Sequence, residues 1–183
     1  MPNIRSILEE IWTNKVPLDY NTGTINSEGA LQACIYHHLR SASELNNHDI
    51  WVVSTLYFDD ICAISNSRPD FLISLNSEIV CMIELKYNIE IGVDPYPDLN
   101  KLNIFSTQAG VNKLILKTDP STGTCRKDLH FSISENVLSV YAVIAHKLSN
   151  ALYKERWNEI KLPKNFLHLI GKIDGISPSF FHE

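Results

Sequence analysis

The sequence predicts an α/β protein with a mixed central β-sheet flanked by helices. Three observations carry that expectation. From Ser27 to Ser41, Leu31, Ile35 and Leu39 recur at a four-residue spacing, the pattern of an amphipathic helix. Ile79-Val80-Cys81-Met82-Ile83 is an unbroken apolar run, which suits a central strand covered on both faces. Helix-like and strand-like segments interleave along the rest of the chain.

Taken in order, Ile4 to Trp12 reads as a short amphipathic helix and Pro17 to Thr24 as a loop. Asn26 or Ser27 can cap the helix that runs to Ser41. Trp51 to Phe58, rich in aromatic and β-branched residues, reads as one strand. Asp70 to Leu75 and Ile79 to Tyr87 read as two more. Pro95 and Pro97 break the chain, and Pro97-Asp98 opens a helix through Leu102. Asp119 to Gly123 is a turn, Val137 to Ala145 a buried strand, and Asn150 to Glu159 a closing helix. No repeat, low-complexity tract or linker divides the chain, so residues 1–183 are expected to form a single domain.

The chain is 44% hydrophobic and 20% charged, the balance of a soluble globular protein with a substantial core. It has no apolar run long enough for a transmembrane helix and no secretory leader at Met1-Pro2-Asn3, which predicts a cytoplasmic protein. Cys34, Cys62, Cys81 and Cys125 form no CxxC pair; this argues against a zinc site and fits reduced thiols. The net charge of −5 divides unevenly, into −9 over residues 1–100 and +4 over 101–183. The division fits a metal-binding half beside a phosphate-binding half, or chance clustering on solvated faces.

Asp70, separated by thirteen residues from Glu84-Leu85-Lys86, carries the most specific chemistry in the sequence. Glu84 and Lys86 share one face of a strand. A two-residue turn at Asn76-Ser77 would set Asp70 opposite Ile83 and turn Glu84 away. A three-residue turn, or a bulge, sets Asp70 opposite Glu84, and Asn-Ser lacks the glycine that the tightest turns favour. An odd-length loop or a bulge is therefore expected. Two carboxylates about 4 Å apart repel by about 4 kcal/mol at an effective dielectric near 20, so the pair calls for a cation. Mg²⁺ suits an all-oxygen shell, Mn²⁺ can substitute, and the Leu85 main-chain carbonyl is a further candidate ligand. Lys86, desolvated beside the metal, could act at a depressed pKa on the attacking water or stabilise charge on a phosphoryl group.

Glu28 lies on the apolar stripe of its helix. It is either exposed at the positive end of the helix dipole or aimed at the site, and Gln32, one turn on, shares its fate. The competing structural readings are ordinary: Asp70 as a turn residue, Glu84 and Lys86 as an exposed ion pair, Asp59-Asp60 as a solvated loop, His37, His38, His130 and His146 as surface or core residues, Trp51 and Trp157 as core. Lys113, Lys117, Arg126 and Lys127 form either a phosphate track or a solvated surface. Glu159-Ile160-Lys161 and Pro97-Asp98 repeat fragments of the pattern without a preceding hairpin.

Arg68-Pro69-Asp70-Phe71 with Ile83-Glu84-Leu85-Lys86-Tyr87 resembles the PD-(D/E)xK nuclease superfamily, which has a restriction-endonuclease-like fold. The order of elements, αβββαβ, matches over about 25–145. The resemblance implies a Mg²⁺-dependent endonuclease acting on nucleic acid, DNA ahead of RNA. It implies that Asp70 and Glu84 bind the metal, that Lys86 positions or activates water, and that Glu28 is an outer or second metal ligand. Lys101 and Gln32 become candidate nucleic-acid contacts. The chain departs from the branch with Gln-x-x-x-Tyr on the downstream helix, because Gln108 is followed at that spacing by Asn112. Cutting two strands with one site per chain favours a homodimer. The alternative is a non-catalytic module of the same fold that binds nucleic acid or a protein partner.

Overall fold

The hairpin of β3 (Phe71–Leu75) and β4 (Glu78–Ile89) is the centre of the fold. The computed structural model describes residues 3–53, 56–58, 69–89, 95–110, 113–117, 128–146, 161–174 and 177–183. β4 pairs antiparallel with β3 on one side and parallel with β6 (Asp128–His146) on the other. β6 is long enough to serve several partners. Its first residues pair antiparallel with β5 (Lys113–Lys117), and its second half pairs parallel with β7 (Phe166–Asp174). β1 (Asp49–Val52) extends the sheet beyond β3, β2 (Leu56–Phe58) lies beyond β5, and β8 (Ser177–His182) lies beyond β7. The result is a mixed eight-stranded sheet in an α/β fold.

Strand alternation divides the core into two layers. Phe71, Ile73, Cys81, Ile83 and Leu85 point to the face covered by α1 (Ile4–Glu10), α2 (Val16–Asn21) and α3 (Glu28–Ser41), where they meet Trp12, Leu31, Ile35 and Leu39. Leu72 and Met82 point to the other face and meet Leu99, Leu102 and Phe105 of α4 (Tyr96–Thr107). β4 is therefore covered on both sides, as its apolar run requires. The α3 helix begins where expected, with Ser27 Oγ accepting from the Ala30 amide at 3.2 Å.

Two expectations need correction. Residues 17–24 are not a plain loop, since α2 runs from Val16 to Asn21. Proline is tolerated in the first turn of a helix, where its missing N–H costs no hydrogen bond. A π-helical turn over Ile11–Lys15 joins α1 to α2, closed by the Val16 amide on the Ile11 carbonyl. The wide turn absorbs the bond that Pro17 cannot donate. Trp51 to Phe58 is likewise not one strand. β1 pairs with β3, whereas β2 pairs with β5, in a different part of the sheet. Composition marks both segments as strand but says nothing of their partners. The expected turn at 119–123 and helix at 150–159 lie outside the described residues, as do Asp59, Asp60, Cys62, Arg68, Cys125, Arg126, Lys127 and Trp157.

Candidate active site

The β3–β4 turn is a two-residue one. Asn76 and Ser77 both adopt positive φ, 52° and 63°, and Leu75 pairs with Glu78. Without compensation this register would carry Glu84 to the α3 face. The pairing shifts at once: Ser74 faces Ile79, but Ile73 faces Cys81, so Val80 is an extra residue. β6 accommodates the same irregularity, for Ile79 faces Ile133 and Cys81 faces Leu138. Beyond the bulge, Phe71 pairs with Ile83, and one further step along that register sets Asp70 against Glu84. Of the two expected solutions, odd loop or bulge, the fold uses the bulge.

Asp70, Glu84 and Lys86 thus share the face that α4 covers. Asp70 Oδ2 accepts the Leu85 amide at 2.7 Å, which ties the two strands at the site. Glu84 is only 2% exposed. Its Oε1 lies 2.7 Å from Lys101 Nζ and 3.6 Å from Lys86 Nζ, and its Oε2 is buried without a hydrogen-bond partner. Lys86 Nζ also lies 3.5 Å from Asp98 Oδ2 and 3.8 Å from Glu28 Oε2. Lys101 Nζ lies 2.8 Å from Asp98 Oδ1, one turn back on α4.

Glu28, half exposed in the first turn of α3, is therefore both at the helix dipole and turned toward the site. Gln32 is half-buried one turn on. Lys101, expected on phosphate, is held by Glu84 and Asp98. Asp98, in the first turn of α4, joins the site as well. Its signal was present: Asp98, Lys101, Leu102 and Phe105 fall at i, i+3, i+4 and i+7, so the acid and amine share the stripe of two core residues.

Four carboxylates (Glu28, Asp70, Glu84, Asp98) converge with two amines (Lys86, Lys101), so full ionisation leaves two negative charges in excess. The protonation states follow from that excess. Burial, reinforced by Asp70 and then Asp98, pushes the Glu84 carboxyl up to about 8, although Lys101 opposes the shift. Burial also raises Asp70, against the pull of the Leu85 amide. Burial works against the charge on Lys86, yet Asp98, Glu84 and Glu28 overcome it and hold the amine above the ordinary lysine range. The depressed pKa envisaged for Lys86 is thus reversed, because three acids surround the amine. Lys101 is raised as well, with burial outweighed by Asp98 and Glu84.

A buried, unpartnered carboxylate oxygen in a cluster short of positive charge fits a hard divalent cation. Comparison with protein-family models, curated proteins and solved structures returns no match for this chain.

Proposed function

We propose that the chain is a metal-dependent nuclease with a restriction-endonuclease-like core, hydrolysing phosphodiester bonds of nucleic acid, DNA ahead of RNA. The observation that carries this reading is the Val80 bulge, which aligns Asp70 with a buried Glu84 whose Oε2 has no hydrogen-bond partner. A strand irregularity that brings two acids together is difficult to account for by packing alone.

In this reading Asp70, Glu84 and the Leu85 carbonyl hold Mg²⁺ or Mn²⁺, with Glu28 at the rim as an outer ligand. The bound cation supplies a more acidic water and charge neutralisation at the phosphate. Lys86 stays protonated among its acids, so its role is to orient the attacking water and offset charge developing on the phosphoryl oxygens. Glu84 would hold the cation as the carboxylate, giving up the proton that its burial otherwise retains. Lys101, which now donates to Glu84, would be free to meet a phosphate oxygen if a cation took its place there. Cleavage of both strands calls for two copies of the chain.

The test is Mg²⁺-dependent cleavage of plasmid, single-stranded DNA and RNA by wild type, Glu84→Ala and Lys86→Ala. Activity is expected to fall by about a hundredfold or more in each variant. Equal activity in all three proteins would overturn the assignment. The second reading, a non-catalytic module, is favoured by one feature: Lys101 already donates to Glu84 Oε1 at 2.7 Å without a metal. Failure of the wild type to bind Mn²⁺ by calorimetry would select it.

A further inference from the structure

A second cluster lies between α2 and α3, away from the carboxylates. Cys34 and His38 stand one turn apart on α3, four residues being the spacing that puts two side chains on one helix face. Asp19 reaches them from α2. Asp19 Oδ2 lies 2.8 Å from His38 Nε2 and 3.1 Å from Cys34 Sγ, and all three donor atoms fall within 4.8 Å of one another. Cys34 is buried, while the side chains of His38 and Asp19 keep 19% and 34% of their exposure, so the cluster opens to solvent on one side.

We propose that Asp19, Cys34 and His38 form a binding site for a thiophilic divalent cation of the Zn²⁺ class, with the fourth position open to solvent. Thiolate, imidazole and carboxylate together suit a borderline-soft ion, and Mg²⁺ is poorly matched to two of the three. Metal–ligand bonds of about 2.0–2.3 Å place tetrahedral donors about 3.3–3.8 Å apart. The two contacts to Asp19 Oδ2 need open by only about half an ångström to reach that spacing. In the metal-free state the same oxygen takes hydrogen bonds from both partners, so a cation would replace the thiol proton on Cys34. Cys34 and His38 carry a local i, i+4 spacing, but the third ligand comes from another element, so the absence of a CxxC pair, read above against a zinc site, does not bear on this cluster.

The backbone frames the site. The Asp19 carbonyl accepts the Thr24 and Ile25 amides at 3.0 and 3.4 Å, which fixes the end of α2. A cation here would pin α2 to α3. Cys34 and His38 lie six and ten residues beyond Glu28 on α3, about 9 and 15 Å along the axis, so the site is separate from the carboxylate cluster.

Titration of the full chain with Co²⁺, a spectroscopic stand-in for Zn²⁺, tests the inference. Wild type should give a thiolate-to-cobalt absorption band that saturates at one equivalent and is not displaced by a large excess of Mg²⁺. The band should vanish in Cys34→Ser, and His38→Gln and Asp19→Asn should each weaken binding by about tenfold or more. Glu84→Gln should leave the band intact, so loss of the nuclease site does not imitate loss of this one. Cys34→Ala, checked for native circular dichroism, repeats the thiol test should the serine variant misfold. Absence of a thiolate band in wild type, or its survival in both Cys34 variants, would overturn the proposal.

Discussion

Lys101 Nζ lies 2.7 Å from Glu84 Oε1, while Glu84 Oε2 stays buried without a hydrogen-bond partner. One oxygen of the buried acid is thus served by an amine from α4 and the other is left for something else. The amine joins Glu84 to Asp98, and would compete with a cation for Glu84. Replacing Lys101 by methionine keeps much of the side-chain volume and removes that competitor. Mn²⁺ binding followed by calorimetry is expected to tighten three- to tenfold, or about 1 kcal/mol, while the metal-free protein loses stability because the buried Glu84 Oε1 loses its hydrogen-bond donor. Unchanged or weaker Mn²⁺ binding would mean that Lys101 and the cation do not share Glu84.

The raised Glu84 carboxyl makes the metal-free protein sensitive to pH in an unusual direction. Its folded pKa of about 8 lies above the ordinary value of 4.5, so between those values the native state holds a proton that the unfolded chain releases. Stability is then fully present at low pH and is lost as pH climbs toward 8. Burial pushes the His168 imidazole down to about 3, which works in the opposite sense below pH 6.5, so the Glu84 contribution is read against Glu84→Gln, which mimics the protonated acid: relative to that variant, the wild-type melting temperature without metal should fall by several degrees between pH 5 and pH 8. A wild-type profile that matches the Gln variant would show that Glu84 is ionised at neutral pH.

The same proton couples to metal binding. If a cation takes the place of the Glu84 proton, its affinity rises with pH up to about 8 and binding releases close to one proton at pH 7. Calorimetry in buffers of different ionisation enthalpy reads that number directly. A buffer-independent heat would place the cation away from Glu84.

Legibility in the sequence followed local pattern and failed where partners decide. α3 and β4 were readable because their apolar spacing matches the helix and buried-strand periods. The Asp70–Glu84 meeting was readable because register is arithmetic, although the Val80 bulge appears only once β4 must also match β6. β7 and β8 went unassigned. Phe166–Asp174 carries Gly171 near its middle and Ser177–His182 contains Pro178, both of which weaken a strand reading. β7 is nevertheless stable because β6 and β8 pair with it on both sides, and Pro178 is tolerated in the strand beyond it. Asp98 shows the same limit, since a helix-start acid becomes a site residue only when β4 brings Glu84 and Lys86 beneath it.

The β3–β4 turn holds Ser77 at φ 63°, in the left-handed region where a side chain is strained. Asn-Gly is the preferred pair for such a turn. Ser77→Gly should therefore stabilise the protein by about 0.5–1 kcal/mol, or roughly 1–4 °C in melting temperature. The Val80 bulge lies between this turn and the acids, so cleavage should be unchanged. A loss of activity without a loss of stability would show that the turn sets the register of Glu84.

Gly171 makes room for Phe180, its cross-strand partner in β8. A Cβ at Gly171 would lie 2.7 Å from the Phe180 ring and 3.1 Å from the Ile144 side chain, so one of them must move. Phe180 has little freedom to do so, because its ring packs edge-on against Trp12 at 5.7 Å and Tyr20 at 6.0 Å. Gly171→Ala should cost about 1–3 kcal/mol, measured by denaturant unfolding, through displacement of β8 from the N-terminal helices. Gly171→Ala combined with Phe180→Leu should recover part of the loss, since the smaller side chain vacates the space the methyl needs. If the double variant is no more stable than the sum of the two single changes, the clash does not lie between these residues.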